Sequence, residues 1–263
     1  MADPSPILIT GCSSGVGHAL AARLGRAGEL VIATAAQPEL IADLERAGCR
    51  VLRLDLTDER SMVEAVEAVQ EEYGPVWGLV GVSRQQRLGP VSGASLARVR
   101  RQFEASVFGL ARLYQLVLPG MRQAGGGRIV ALGQTPDPLA GYQLAARDAL
   151  RAITEALSHE VRPYGIAVSF VEPGPAPLDQ PVTAATRQLG LAGVLRSTGV
   201  RNPLPAGPDR VAAVLESALL SRNPRARYHV GVAATVTASA RNLLPDRLGG
   251  HRTGRHPALL APN

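Results

Sequence analysis

The sequence predicts an α/β protein with a doubly wound fold: a seven-stranded, mainly parallel sheet with helices on both faces. Three observations predict it. Short runs rich in β-branched residues alternate along the chain with longer segments of helical period. A glycine-rich turn joins the first such run to the first helical segment. At 263 residues and 46% hydrophobic content, the chain has the material for one large domain with a real core.

The elements follow in order. Ile7 to Thr10 is the first strand, and Gly15 to Ala27 the Ala/Leu-rich helix after it. Leu30 to Thr34 leads to a helix over Pro38 to Ala47, and Val51 to Leu54 to one over Glu59 to Tyr73. Gly78 to Val82 precedes a long helix, Leu96 to Gln123, and Arg128 to Leu132 precedes another, Tyr142 to Tyr164. Ile166 to Glu172, a helix over Pro208 to Ser221 and Tyr228 to Val232 complete the series. Strands separated by helices pair in parallel, because each crossover helix carries the chain back to the end of the sheet at which the preceding strand began. Residues 1–248 are expected to form this one domain, with no internal repeat and no dividing linker. The Pro/Ala/Leu-rich stretch 174–207 is a long connection of the kind that forms a substrate loop. The tail 249–263, rich in Gly, His, Arg and Pro, is expected to be disordered.

Composition narrows the function. Two cysteines, Cys12 and Cys49, are too few for a disulfide framework and suit a reducing cytoplasm. No stretch approaches the ~20 uninterrupted apolar residues of a membrane span, and the first residues lack a signal peptide's pattern. A cytoplasmic location without membrane attachment is therefore expected. The net charge of +6 invites a nucleic-acid reading, but the cations are scattered among acids and aromatics are only 3%, so stacking platforms are missing. No nucleic-acid partner is expected. All 28 Lys-or-Arg positions are Arg, so no lysine can take part in catalysis. The five histidines have no partners at metal-ligand spacing, and no metal is expected.

The turn after the first strand reads Thr10-Gly11-Cys12-Ser13-Ser14-Gly15-Val16-Gly17. Glycines there let the backbone turn tightly and approach a pyrophosphate, whose charge meets the amides and dipole at the helix N-terminus. Gly11, Ser13, Ser14, Gly15, Val16 and Gly17 are the candidate cofactor-binding residues of this loop. With this spacing, and with Leu54-Asp55-Leu56-Thr57-Asp58, Gly126-Gly127-Arg128-Ile129-Val130 and Val171-Glu172-Pro173-Gly174-Pro175, the chain resembles the short-chain dehydrogenase/reductases over Ile7 to Leu248. The likeness is greatest to the hydroxysteroid- and retinol-dehydrogenase-like branch. It implies a Rossmann-fold oxidoreductase moving hydride between NAD(P) and a carbonyl or alcohol, as a homodimer or homotetramer, with a small apolar molecule as substrate.

Carried over residue by residue, the resemblance implies an altered catalytic tetrad. Gln143 falls at the family's Tyr position and Arg147 at its Lys position, with Tyr142 one residue too early. Gln134 falls at the Ser position and Ser106 at the Asn position. A glutamine can hydrogen-bond but cannot act as an acid near neutral pH, and Arg for Lys changes the geometry of the cation. A one-residue shift turns a helical side chain by about 100°, so Tyr142 could act only if the helix start were distorted. On the cofactor side Asp55 matches the family's adenine-binding Asp, beside Leu56. Arg84 stands where the family has a glycine beside the nicotinamide. Thr34 closes a second strand whose end, Ala33-Thr34-Ala35-Ala36-Gln37, carries neither the acid that binds ribose hydroxyls nor the Arg that takes a 2′-phosphate. The missing acid leans toward NADP(H).

The reading that follows is an atypical NADP(H)-linked ketoreductase of an apolar or polyketide-like carbonyl in secondary metabolism. Two others stay open: a cofactor-independent cyclase or dehydratase on the same scaffold, and a non-catalytic partner subunit.

Overall fold

The computed structural model describes residues 5–83, 88–133, 141–173 and 207–231. Seven strands run β1 (Ile7–Ile9), β2 (Val31–Ala35), β3 (Arg50–Arg53), β4 (Gly78–Gly81), β5 (Gly127–Leu132), β6 (Ile166–Pro173) and β7 (Arg227–Val230). They form one sheet in the order β3-β2-β1-β4-β5-β6-β7. All six pairings among the described strands are parallel, as the expected seven-stranded doubly wound sheet requires. The direction of winding reverses between β1 and β4, which opens a crevice at the carboxyl ends of those strands.

Two apolar layers sandwich the sheet. On one face α1 (Gly15–Arg26), the 3-10 segment Pro38–Ala47 and α6 (Pro208–Leu220) pack around Ile7, Ile9, Val31, Ala33 and Val80. On the other, α2 (Glu59–Tyr73), α4 (Gly109–Gln123) and α5 (Gly141–Val161) cover Leu8, Ile32, Leu79, Ile129 and Phe170. The central strands β1, β2 and β4 are buried on both faces, which is why they read as continuous apolar runs with no alternation. In α5 the buried residues Gln143, Ala146, Arg147, Leu150, Thr154, Leu157 and Val161 repeat at three- and four-residue intervals, one stripe of a helix.

Two expected helices differ. Leu96 to Gln123 is not continuous: α3 (Leu96–Phe103) passes into a π turn, Glu104–Phe108, before α4 begins. Ser106 Oγ donates to Gln102 O at 2.6 Å, drawing on a carbonyl of the helical ladder. Gly109 then lets the helix approach the β3–α2 connection so closely that a Cβ would lie 2.0 Å from Leu56 O. Pro38–Ala47 is a 3-10 segment with a kink at the fully buried Ile41 (φ −128°), which turns that side chain into the core. The connection 174–206 and the tail 249–263 lie outside the described residues.

Candidate active site at the carboxyl ends of the strands

The glycine loop is held from below by Thr10, fully buried at the end of β1. Its hydroxyl donates to Val82 O at 2.8 Å and accepts from Val82 N at 2.9 Å, tying β1 to the end of β4 across the crevice. Cys12 N donates to Thr34 O, and Thr34 Oγ1 donates to Ile9 O, both at 2.9 Å, so β2 supports the other side. Thr34 is therefore fully buried and serves the loop's framework. Gly11 sits at φ +64°, and a Cβ on it would lie 2.3 Å from Val82 O. On Gly17 a Cβ would lie 2.5 Å from Gly11 O, so the first turn of α1 presses directly on the loop. Ser14 caps α1, its side chain accepting from Gly17 N at 3.3 Å. Ser13 and Gly15 are exposed above this frame, whereas Val16 is buried against the sheet. The result is a rigid, glycine-lined helix N-terminus facing the crevice, a cradle that fits the diphosphate of a dinucleotide. Cys12, buried within it, has its thiol pushed up to about 12 by desolvation, so it is an inert packing residue.

Beyond the loop, Asp55 follows β3. Its Oδ1 accepts from Thr57 N at 2.9 Å and from Thr57 Oγ1 at 2.8 Å, and its backbone N donates to Ser61 Oγ at 2.9 Å. The carboxylate is thereby fixed beside the buried Leu56. At the end of β2, Ala36 and Gln37 are exposed and offer no charge.

Of the residues expected at the catalytic positions, Tyr142, Gln143 and Arg147 lie on α5 and Ser106 in the π turn. α5 is helical from Gly141, with no distortion at its start, so Gln143 and Arg147 share the buried face one turn apart, each 3% exposed. Tyr142 is half-buried and points elsewhere around the helix. Ser106, 1% exposed, sits in the π turn packed against α5, its hydroxyl committed to Gln102 O. The π turn that carries Ser106 thus packs on α5, which carries Gln143 and Arg147 on one buried face, while Gln134 and Arg84 lie outside the described residues.

Arg147 is held by two carboxylates. Its Nη2 and Nε lie 3.1 and 3.3 Å from Asp148 Oδ1, and Nη1 lies 3.4 Å from Glu172 Oε1 on β6. Glu172 Oε2 is in turn 3.4 Å from the buried Nδ1 of His229, its partner in the β6–β7 register. That approach is an ion-pair distance without hydrogen-bond geometry. Arg151 lies 3.8 Å from Asp148 and 3.6 Å from Glu155, which also pairs with Arg227. Sequence reasoning left Glu172 and His229 out of the site, since each stands alone in its own segment and only the pairing of β6 with β7 joins them. A buried amide, a hydroxyl turned to its own helix and a neutralised cation can orient a polar ligand but not protonate it near neutral pH. Among the described residues no group of histidines, cysteines or carboxylates is placed to hold a metal ion. Among them, too, no helix is long and apolar enough to cross a membrane.

A phosphate cradle at the switch point of a doubly wound parallel sheet defines a protein of the dinucleotide-binding class. The chain belongs to the short-chain dehydrogenase family of oxidoreductases: the family's model matches residues 5–187. An uncharacterized oxidoreductase of Escherichia coli K12, YbbO, is 31% identical over 247 residues, covering 92% of this chain and 91% of its own. Human retinol dehydrogenase 8 is 32% identical over 192 residues, covering 66% of this chain and 60% of its own. Among solved structures, a short-chain dehydrogenase from Streptomyces avermitilis superposes with a TM-score of 0.75 at 29% identity, over 91% of this chain and 94% of that one. A metagenomic short-chain oxidoreductase in complex with NADP gives 0.68 at 20% identity, over 87% of this chain and 97% of that one, and shares the fold.

Proposed function

We propose that the protein is an NADP(H)-linked reductase of an apolar carbonyl compound that works without the family's Ser/Tyr/Lys relay. One observation carries this reading: the cradle under Gly11 and Gly17 is complete and too tight for any other residue, although the catalytic positions have changed. The close packing of Gly11 on Val82 O and of Gly17 on Gly11 O holds the loop in the turn that leaves the N-terminus of α1 facing the crevice. The names of retinol dehydrogenase 8 and of the NADP-bound metagenomic oxidoreductase support the substrate and cofactor classes.

In this reading the Gly11–Gly17 loop at the N-terminus of α1 holds the diphosphate, through amides other than Ser14 N, which donates to Gly11 O, and Gly17 N, which donates to the Ser14 side chain; Asp55 and Leu56 flank the adenine. NADPH supplies the hydride. Arg147 supports the nicotinamide ribose through whichever guanidinium N–H Asp148 and Glu172 leave available, and Gln143 orients the substrate carbonyl by hydrogen bonding. With α5 regular from Gly141 and Tyr142 off the buried face, the proton comes from water or from a hydroxyl of the substrate. Loss of a positioned acid typically costs about 10²–10⁴-fold in rate, so turnover is slow but measurable. The chain acts as a homodimer or homotetramer, which light scattering of the purified protein checks.

Calorimetric titration with NADPH tests the reading, followed by absorbance assays of NADPH consumption over a panel of cyclic and long-chain ketones. Binding at about 10 μM or tighter, near 7 kcal/mol, is expected. Absence of binding up to millimolar NADPH refutes it. The changes at Gln143 and Arg147 favour one other reading, a cofactor-independent cyclase or dehydratase, whose turnover would ignore added NADPH and collapse in Arg147 variants.

A further inference from the structure

We propose that Arg53, on the edge strand β3, selects NADP(H) over NAD(H) by holding the 2′-phosphate of the adenosine ribose; this rests on the NADP(H) reading above. In a doubly wound fold the adenosine ribose lies against the residues that end the second strand, where an acid selects the free hydroxyl and a cation the phosphate. Ala33 to Gln37 carry no charge of either sign. The charge is supplied from the neighbouring strand. Arg53 is the register partner of Ala35, the last residue of β2, so its backbone lies one strand spacing, about 4.8 Å, from the ribose-binding turn.

The direction of its side chain is set by Asp58. Arg53 Nη2 lies 3.0 Å from Asp58 Oδ2, and Asp58 is itself fixed as the N-cap of α2, its Oδ1 accepting from Ser61 N at 3.3 Å. Asp58 follows Asp55 and Leu56 at the carboxyl end of β3, so the pairing holds the guanidinium at that end of the strand. The Arg53 side chain is 52% exposed. A guanidinium has five N–H donors and binds phosphate through two at once. Asp58 engages one nitrogen of Arg53, which leaves the fork able to take a dianion. Arg50, the other cation of β3, pairs at 3.9 Å with Glu72 in the last turn of α2 and sits at the opposite end of the strand.

The test is calorimetry of the full chain and of Arg53→Gln and Asp58→Asn, each titrated with NADPH, NADH, adenosine 2′,5′-bisphosphate and adenosine 5′-monophosphate. The last two report on the adenosine half alone. The unaltered chain should prefer NADPH to NADH, and the bisphosphate to the monophosphate, by about 10- to 100-fold, the value of charge-assisted phosphate contacts. In Arg53→Gln both ratios should collapse toward one. Asp58→Asn keeps a good helix cap but removes the competing charge, and should raise both ratios a few-fold. If Arg53→Gln keeps the preference of the unaltered chain, the assignment of Arg53 is wrong and the NADP(H) reading stands. Failure of the unaltered chain to bind either dinucleotide while it still prefers the bisphosphate in an Arg53-dependent way overturns the reductase reading and supports the assignment. No preference in the unaltered chain, for either pair, overturns the assignment.

Discussion

Replacing Thr10 by Val isolates the bond that holds the crevice together. Valine has nearly the same shape as threonine, so the substitution opens no cavity at a fully buried position. It removes the hydroxyl that donates to Val82 O and accepts from Val82 N, leaving two buried backbone groups without partners. Each such group costs about 1–3 kcal/mol, so a loss of about 3 kcal/mol is expected for the pair. With a urea m-value of about 3 kcal/mol/M, the unfolding midpoint falls by about 1 M. Thr10→Ser is the control: it keeps both bonds and loses one buried methyl, about 1 kcal/mol. The order of midpoints should be unaltered chain, Thr10→Ser, Thr10→Val, read from fluorescence of the single Trp77. Because Val82 also limits the space above Gly11, NADPH affinity should fall more in Thr10→Val than in Thr10→Ser. A Thr10→Val midpoint equal to or above that of Thr10→Ser would show that the bridge does not stabilise the sheet, and the account of the cradle would fail.

Gly11→Ala forces a Cβ onto Val82 O at 2.3 Å with the backbone at φ +64°; NADPH binding should be lost in calorimetry, together with about 2–3 kcal/mol of stability in urea. Arg147→Met leaves Glu172 and the partly exposed Asp148 without their shared cation and should cost about 2–3 kcal/mol, while Arg147→Lys, which keeps the charge without the fork, should cost less. Burial raises the Cys12 thiol from an ordinary 9.0 to about 12 and that of Cys49 to about 11. Folding therefore favours the neutral thiols, a contribution present in full below pH 9 and lost as pH rises through 11 to 12. Urea midpoints measured from pH 8 upward should fall on that limb, less steeply in a Cys12→Ala, Cys49→Ala variant. At pH 8 a thiol reagent should label either cysteine only after unfolding.

The architecture was legible because it is written locally. Strands buried on both faces require unbroken apolar runs, helices lying on a sheet require one apolar stripe, and a tight β1–α1 turn in which α1 presses on Gly11 O requires glycine at Gly17. Each of these is visible within a few neighbouring residues. The break in Leu96 to Gln123 was not, because a π turn leaves the apolar pattern nearly intact; its causes are the Ser106 hydroxyl and the approach of Gly109 to Leu56, a residue remote in sequence. The 3-10 form of Pro38–Ala47 escaped for a similar reason, since its apolar spacing suits either helix and only the core position of Ile41 decides.

The site divides along the same line. The residue types at Gln143 and Arg147, and the resemblance that singles them out, are properties of the chain read in order. What surrounds Arg147 is not. Glu172 arrives on β6, His229 is set beside it by the β6–β7 register, and Arg53 comes to lie beside Ala35 only because β3 pairs with β2. A local pattern specifies which elements form and which face each one buries. Charges on different elements find their partners only when the sheet closes its register, because the Coulomb and hydrogen-bond terms that join them depend on distances of a few ångströms that sequence separation does not encode.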